Sequence, residues 1–282
     1  MTEIVIRPRG PYSLELSARL VGDATRRVRE GLLTARCGGG VARAFQLRDG
    51  TVTIRSESAK AAEKLRWMLA LDDDHSDFLR RAADDPLLSR AAKHLRGLRP
   101  VRTATVAQAL LRAVCGQLID SKTARTLEFR VIRTLTSGAE DGLSEAPSTA
   151  ALAAAAPFEL RRLGLHERRG AAVVRLCRSL ELERLHELPT DAVVRRIERE
   201  RGLGPWSAGV VCLEGLGRYE HGLVGDLGLI KLVRALRRRP AVEPWETAEL
   251  LEPYGEWAGL ASVYLLAGFG RGLIPLPAAR AA

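Results

Sequence analysis

Aromatic residues are scarce, at 5% of 282 residues, and only four of them are tryptophan, so each Trp position carries information. Cysteine is scarce too. Cys37, Cys115, Cys177 and Cys212 are scattered, with no C-x-x-C pair and no histidine at ligand spacing. That pattern argues against a zinc site, an iron–sulfur cluster and a secreted disulfide scaffold. No apolar run reaches the roughly 18 residues that a membrane span needs. The opening MTEIVIRPRG lacks the apolar stretch of a signal peptide. The expectation is a soluble intracellular protein, cytoplasmic, and nucleoid-associated if bacterial. Acidic residues are the minority charge, 34 Asp and Glu against 44 Lys and Arg, for a net charge of +10. That balance suits a polyanionic partner, of which nucleic acid is the commonest. Hydrophobic residues make up 46%, enough for two or three packed units.

The first 58 residues read as strands and turns. Ile4-Val5-Ile6 is one short run, and Ser13 to Leu20 alternates with Leu14, Leu16, Ala18 and Leu20 on one face. Ala44–Arg48 and Thr51–Arg55 flank Asp49-Gly50, a hairpin signal in which both turn residues tolerate positive φ. Gly38-Gly39-Gly40 marks a loop, and a helix is predicted over Ala59–Leu71 with Leu65, Met68 and Leu69 buried. Past Asp72 the signal is helical. Val106, Ala109, Leu110, Ala113 and Val114 recur at helical spacing. Further helices are predicted near Lys122–Thr136, Thr149–Ala155, Pro157–Leu163, Glu167–Leu182, Asp191–Glu200, Trp206–Leu216, Leu227–Arg238, Thr247–Leu251 and Gly255–Phe269. The fold class is therefore an α+β N-terminal unit, residues 1–72, followed by an all-α core, residues 73–282.

The most informative stretch runs from Asp191 to Ala235. A helix ends at Arg201-Gly202-Leu203-Gly204-Pro205, a second begins at Trp206, and Asp226 opens a third, 20 residues after Trp206. Two glycines around one apolar residue make a tight turn between helices. The free N–H groups of the following turn suit a DNA phosphate. An ordinary αα-turn has the same tripeptide, and Asp is a preferred N-cap, so neither feature alone assigns a function.

Taken together, Gly202-Leu203-Gly204-Pro205-Trp206-Ser207-Ala208 and Gly225-Asp226-Leu227-Gly228-Leu229-Ile230-Lys231 resemble the paired signature of the helix-hairpin-helix DNA glycosylase superfamily. Leu110 to Ala124, through Gly116-Gln117-Leu118-Ile119-Asp120, is similar to that superfamily's first core helix and following loop. Met68 to Phe78, followed by Gly97-Leu98-Arg99-Pro100, resembles the junction of the 3-methyladenine DNA glycosylase II family. The resemblance implies a helical core of two lobes with the active-site cleft between them. It makes Asp226 the catalytic carboxylate. It implies DNA contacts from Gly202, Leu203, Gly204, Ser207 and Ala208 at the hairpin, and from Lys231, Gln117 and Leu118. Leu118 is the residue that fills the gap left by an extruded base, although a buried helix-end leucine reads the same way. The base pocket falls to Trp206, Trp257, Val210 and Tyr264, with Tyr12 weaker. Val210 stands where a relative carries Tyr. Trp67 and Trp245 are assigned to packing. A sodium or potassium ion at the hairpin carbonyls near Arg201 and Leu203 is also implied, and no other cofactor.

Members of the superfamily with lyase activity carry a nucleophilic Lys where this chain has Trp206. The expectation is therefore a monofunctional enzyme in which water attacks the sugar and Asp226 stabilises the positive charge that develops there. An aromatic wall favours a cationic ring, which points to alkylated purines of the 3-methyladenine and 7-methylguanine type in double-stranded DNA. The rivals are a sibling glycosylase for other damaged bases and a non-catalytic helix-hairpin-helix DNA-binding protein. Arg161-Arg162, Arg168-Arg169 and Arg237-Arg238-Arg239 are either phosphate contacts or solvated faces. A monomer is expected, since the protein must wrap a kinked duplex.

Overall fold

A computed structural model describes residues 1–19, 22–117, 119–136, 138 and 141–277. Leu118 and Leu20 lie outside the described residues.

The N-terminal part is one antiparallel sheet in the order β1-β5-β4-β3-β2, formed by β1 (Thr2–Ile6), β2 (Arg26–Arg29), β3 (Leu32–Cys37), β4 (Gly40–Gln46) and β5 (Val52–Ser56). The Asp49-Gly50 hairpin joins β4 to β5 in register, with Ala44 opposite Ile54. Its loop is longer than a two-residue turn. Leu47 N–H bonds to Thr51 C=O, the Asp49 side chain accepts from Thr51 N–H, and of the Asp-Gly pair only Gly50 has a positive φ, +88°. Alternation puts Leu33, Ala35, Ala42, Ala44, Val52 and Ile54 on the inner face. There they meet Ala61, Ala62, Leu65 and Met68 of α2 (Ala59–Met68).

One reading is corrected here. The strand expected from Ser13 onward is not formed, because Leu14–Ala18 is helix α1. Ser13 accepts from Leu16 N–H as its cap, Glu15 sits in the first turn, and Leu14, Ser17 and Ala18 are buried at helical spacing.

Two helical clusters follow. The first is built from α5 (Val106–Gly116), α6 (Ser121–Leu135), α7 (Thr149–Ala154), α8 (Pro157–Arg162), α9 (Glu167–Ser179) and α10 (Thr190–Glu198). The second is built from α3 (Ser76–Ala83), α4 (Ser89–His94), α12 (Leu227–Arg237), α13 (Glu246–Leu251) and α14 (Ala258–Phe269). Two elements serve both clusters: α5, and α11 (Pro205–Val210) with the π-helical turn Val211–Gly215 that continues it. On α5, Leu110, Leu111 and Val114 face the first cluster and Ala113 the second. On α11 and its continuation, Ala208 and Val211 face the first, Val210 and Leu213 the second. A helix with two buried faces must be apolar nearly all round, which is what the sequence of α5 shows. The start of α11 lies beside the end of α5, and the functional residues gather there.

Candidate active site

Asp226 is the N-cap of α12, with φ −61° and ψ 132°. Its Oδ1 accepts from Gly228 N–H at 2.7 Å and Leu229 N–H at 3.3 Å. Its Oδ2 accepts from the indole Nε1–H of Trp206 at 3.0 Å. The capping role and a second role therefore fall on different oxygens of one carboxylate. An ionised carboxylate has about four lone-pair sites. Three are engaged, and one remains on Oδ2. The side chain is half-buried, so it is fixed in place and still reachable.

The hairpin turn is held from the other side. Gly202 has φ +96°, a conformation for which glycine is the natural residue, and a Cβ there would meet nothing within 4 Å. Gln117, the residue that follows α5, donates from Nε2 to the Gly202 carbonyl at 2.9 Å and to Ser207 Oγ at 3.0 Å. The amide nitrogen of Gln117, a residue expected to contact DNA, is thus engaged within the protein, where it ties the end of α5 to the hairpin. Ser207, Ala208 and Leu203 are buried, and the N–H groups of Leu203 and Ala208 donate to the carbonyls of Glu200 and Gly204 at 3.0 Å each, so the DNA contacts expected of Leu203 and Ala208 are not available. Arg201 and Gly202 are exposed, and so is Lys231 on α12, which has no ion pair among the described residues.

No protein-family profile matches the chain. The DNA-3-methyladenine glycosylase of Bacillus subtilis (strain 168) is 26% identical over 206 residues, covering 69% of this chain and 67% of that protein. Among solved structures, the 3-methyladenine DNA-glycosylase of Archaeoglobus fulgidus superposes with a TM-score of 0.81 at 19% identity, over 94% of this chain and 97% of that one. The 8-oxoguanine glycosylase/lyase of Clostridium acetobutylicum, in complex with double-stranded DNA containing cytosine opposite 8-oxoG, superposes with a TM-score of 0.79 at 15% identity, over 95% and 98%. The chain has the fold of the helix-hairpin-helix DNA glycosylases.

Other residues expected at a glycosylase pocket are spread more widely. Trp257, at the start of α14, is half-buried and stacks on Tyr219 with ring centroids 6.0 Å apart and planes at 27°. His75 and Phe78 contact the same ring. None of these contacts involves Trp206, so the two tryptophans are not packed on each other. Behind Trp257, the Tyr219 hydroxyl donates to Asp73, which also pairs with Arg102. This support went unread in the sequence because its members lie on three separate segments. Asp73, His75 and Phe78 fall within the Met68–Phe78 motif, whereas Arg102 and Tyr219 lie outside every motif quoted above.

Two pocket assignments are corrected. Tyr264 is fully buried, and its hydroxyl donates to the carbonyls of Leu95 and Leu98 at 3.1 Å each, so it is a core residue that ties α14 to the end of α4. Val210 is 4% exposed within the second cluster, where it packs rather than lining an open wall. Tyr12 lies under the Arg99 guanidinium, 5.0 Å from its ring centroid, in the N-terminal part. Of the two tryptophans assigned to packing, Trp67 fits, with Arg102 and Lys64 over its ring. Trp245 does not, being 59% exposed just before α13.

A groove of about 1320 Å³ flanks the hairpin, lined by Arg161, His166, Arg168, Arg175, Arg201 and Gly202. Neither Asp226 nor Trp206 lines it. Arg161 and Arg175 are paired with Glu167 and Glu200. The guanidinium groups of Arg168 and Arg201 have no partner among the described residues. At the other cluster, Arg237 pairs with Glu246 and Glu249 and Arg239 with Glu246, so two of those three arginines are already neutralised.

Proposed function

We propose that the protein is a monofunctional DNA glycosylase that hydrolyses the N-glycosidic bond of alkylated bases, of the 3-methyladenine and 7-methylguanine type, in double-stranded DNA. The observation that carries this reading is the Trp206–Asp226 pair. At the start of the helix after the hairpin stands an indole bonded to a carboxylate, with no amine able to form a Schiff base. The Bacillus subtilis relative named as a DNA-3-methyladenine glycosylase supports the substrate class.

The chemistry follows from charge. An N3- or N7-alkylated purine carries a positive charge. When its bond to C1′ breaks, the electron pair leaves with the base and neutralises the ring, so no proton needs to be supplied. Positive charge then develops on the sugar. The Asp226 carboxylate, fixed by three N–H donors, stabilises that charge, and the open site on Oδ2 accepts a proton from the attacking water. The water oxygen bonds to C1′, and the products are free base and an abasic site. Trp206 and Trp257 provide aromatic faces for the cationic ring, an interaction of about 0.5–2 kcal/mol.

In this reading residues 1–72 form an α+β domain and residues 73–282 the glycosylase core. Its two helical clusters act as two lobes, and the flipped base enters the cleft between them as the monomer wraps the duplex. Backbone N–H groups of Gly202 and Gly204, with Lys231, Arg168 and Arg201, hold phosphates, while buried Leu203, Ser207 and Ala208 shape the turn that presents them. Leu118 fills the vacated stack. The carbonyls of Arg201 and Leu203 accept no hydrogen bond among the described residues, whereas that of Gly202 is taken by Gln117. These two carbonyls fit a sodium or potassium ion, which would add positive charge beside a bound phosphate.

The test is incubation with a methylated duplex. The expected result is free 3-methyladenine or 7-methylguanine, with the strand intact until alkali is added. A strand nick without alkali contradicts monofunctional hydrolysis. Binding that ignores the lesion, with no base released, favours a non-catalytic binder. Release from an 8-oxoguanine duplex alone favours the sibling activity.

A further inference from the structure

We infer that Gly116 is a positioning residue for Asp226, acting through Trp206; the inference rests on the glycosylase reading above. Gly116 is the last residue of α5, and its φ is not in the left-handed region. Nothing in the backbone therefore calls for glycine, and alanine is the better helix former at such a position. What the missing side chain provides is space for one group. A Cβ on Gly116 would lie 2.7 Å from Trp206 Cη2, 3.5 Å from Cζ2 and 3.6 Å from Cζ3. The six-membered edge of the indole thus rests directly on the Gly116 backbone.

The opposite edge of the same ring carries Nε1, which donates to Asp226 Oδ2 at 3.0 Å. An indole is rigid, so its two edges cannot move independently. Relieving a 2.7 Å contact to the 3.4 Å of ordinary packing moves the ring by about 0.7 Å. That motion carries Nε1 with it and misaligns its bond to Asp226 or shifts the carboxylate, since these bonds depend steeply on distance and angle. The ring has little freedom to respond otherwise. Its neighbour Ser207 is buried and accepts a hydrogen bond from Gln117, the residue after Gly116. The end of α5 therefore sets the position of the carboxylate across two contacts, Gly116 to Trp206 and Trp206 to Asp226. Gly116 touches neither DNA nor water in this scheme.

The experiment compares wild type, Gly116→Ala, Trp206→Phe and the double variant in single-turnover base release from a methylated duplex. In parallel it follows the indole N–H proton resonance of Trp206, assigned by its disappearance in Trp206→Phe. Gly116→Ala is expected to slow release about tenfold or more, to move the Trp206 resonance, and to unfold in a single cooperative thermal transition like wild type. Trp206→Phe removes both the donor and the atom that the added methyl group would meet, so the double variant is expected to be no slower than Trp206→Phe alone. Release by Gly116→Ala within twofold of wild type, an unmoved resonance, or losses that multiply in the double variant would each overturn the inference. A wild-type protein that releases no base while the resonance still moves refutes the functional reading and leaves the Gly116–Trp206–Asp226 contact standing.

Discussion

Asp226 shows how a residue can hold two roles that compete on paper. As an N-cap it needs one oxygen, and Oδ1 does that work; Oδ2 faces the indole of Trp206. The spacing of 20 residues pointed to both side chains, but their hydrogen bond was not legible, because an intervening loop leaves their separation in space open. Tyr264 and Val210 were misread for a related reason, since aromatic or apolar character near a site does not say which face of a helix is buried. Lys231 carries a residue-scale prediction. It is exposed on the helix that Asp226 caps. If it holds a phosphate, Lys231→Ala weakens duplex binding equally across sequences and reduces the slope of log affinity against log salt by about 0.9. An unchanged slope in a salt titration would remove that contact. His75 carries another. Burial, with the Arg99 and Arg102 cations, pushes its imidazole down to about 3. Asp73, 3.9 Å away, does not rescue the charge because it already serves Arg102 and Tyr219. The unfolded chain takes up this proton near 6.5, so between about 6.5 and 3 it binds more protons than the folded one. The contribution of neutral His75 is therefore full above that window and is lost as pH falls through it. Thermal melts at pH 7 and pH 5 should show a smaller drop for His75→Phe than for wild type.

At the scale of elements, the sequence was most readable where the period is 3.6 and caps are explicit. Helices α5, α6 and α12 carry Thr105, Asp120 and Asp226 as caps, each accepting from backbone N–H groups of the first turn. Strands β2 and β3 and helices α3 and α4 were not singled out. β2 reads Arg-Arg-Val-Arg, an edge strand whose partner is β3, and nothing in its own composition announces a sheet. The contact between the end of α5 and the hairpin was also invisible, because it joins segments 85 residues apart. Gln117→Ala removes both of its bonds. The expected result is a loss of about 1 kcal/mol of stability and weaker binding to an abasic-site duplex, read by denaturant unfolding and by fluorescence anisotropy. Unaltered values in both would mean that the hairpin is held by other contacts.

The whole molecule is joined by a buried ionic cluster that composition alone does not reveal. Arg112 of α5 bonds to Asp23 at 2.6 Å, Glu128 of α6 at 3.0 Å and Glu214 at 2.6 Å, and Arg26 pairs with Asp23. Burial raises the Glu128 carboxyl above its ordinary value against the pull of Arg112. Burial would raise Asp23 too, yet Arg26 and Arg112 hold it below its ordinary value. The cluster locks the N-terminal part to the helices, as does Ala24, which packs in the first helical cluster. Arg112→Leu strands these carboxylates, and a loss of about 3–5 kcal/mol is expected in thermal or denaturant unfolding; a loss below about 1 kcal/mol would show that the carboxylates find other partners. The α+β-then-α order was legible from the change of period near residue 72, whereas this coupling depends on charges brought together from four segments. Chemistry by a carboxylate and water is tested by single-turnover base release from methylated DNA by wild type and Asp226→Asn. Asn keeps the shape and the cap but not the charge. The variant is expected to release base at least about 100-fold more slowly with abasic-site binding retained; release by Asp226→Asn at the wild-type rate would show that the carboxylate's charge is not what drives the reaction.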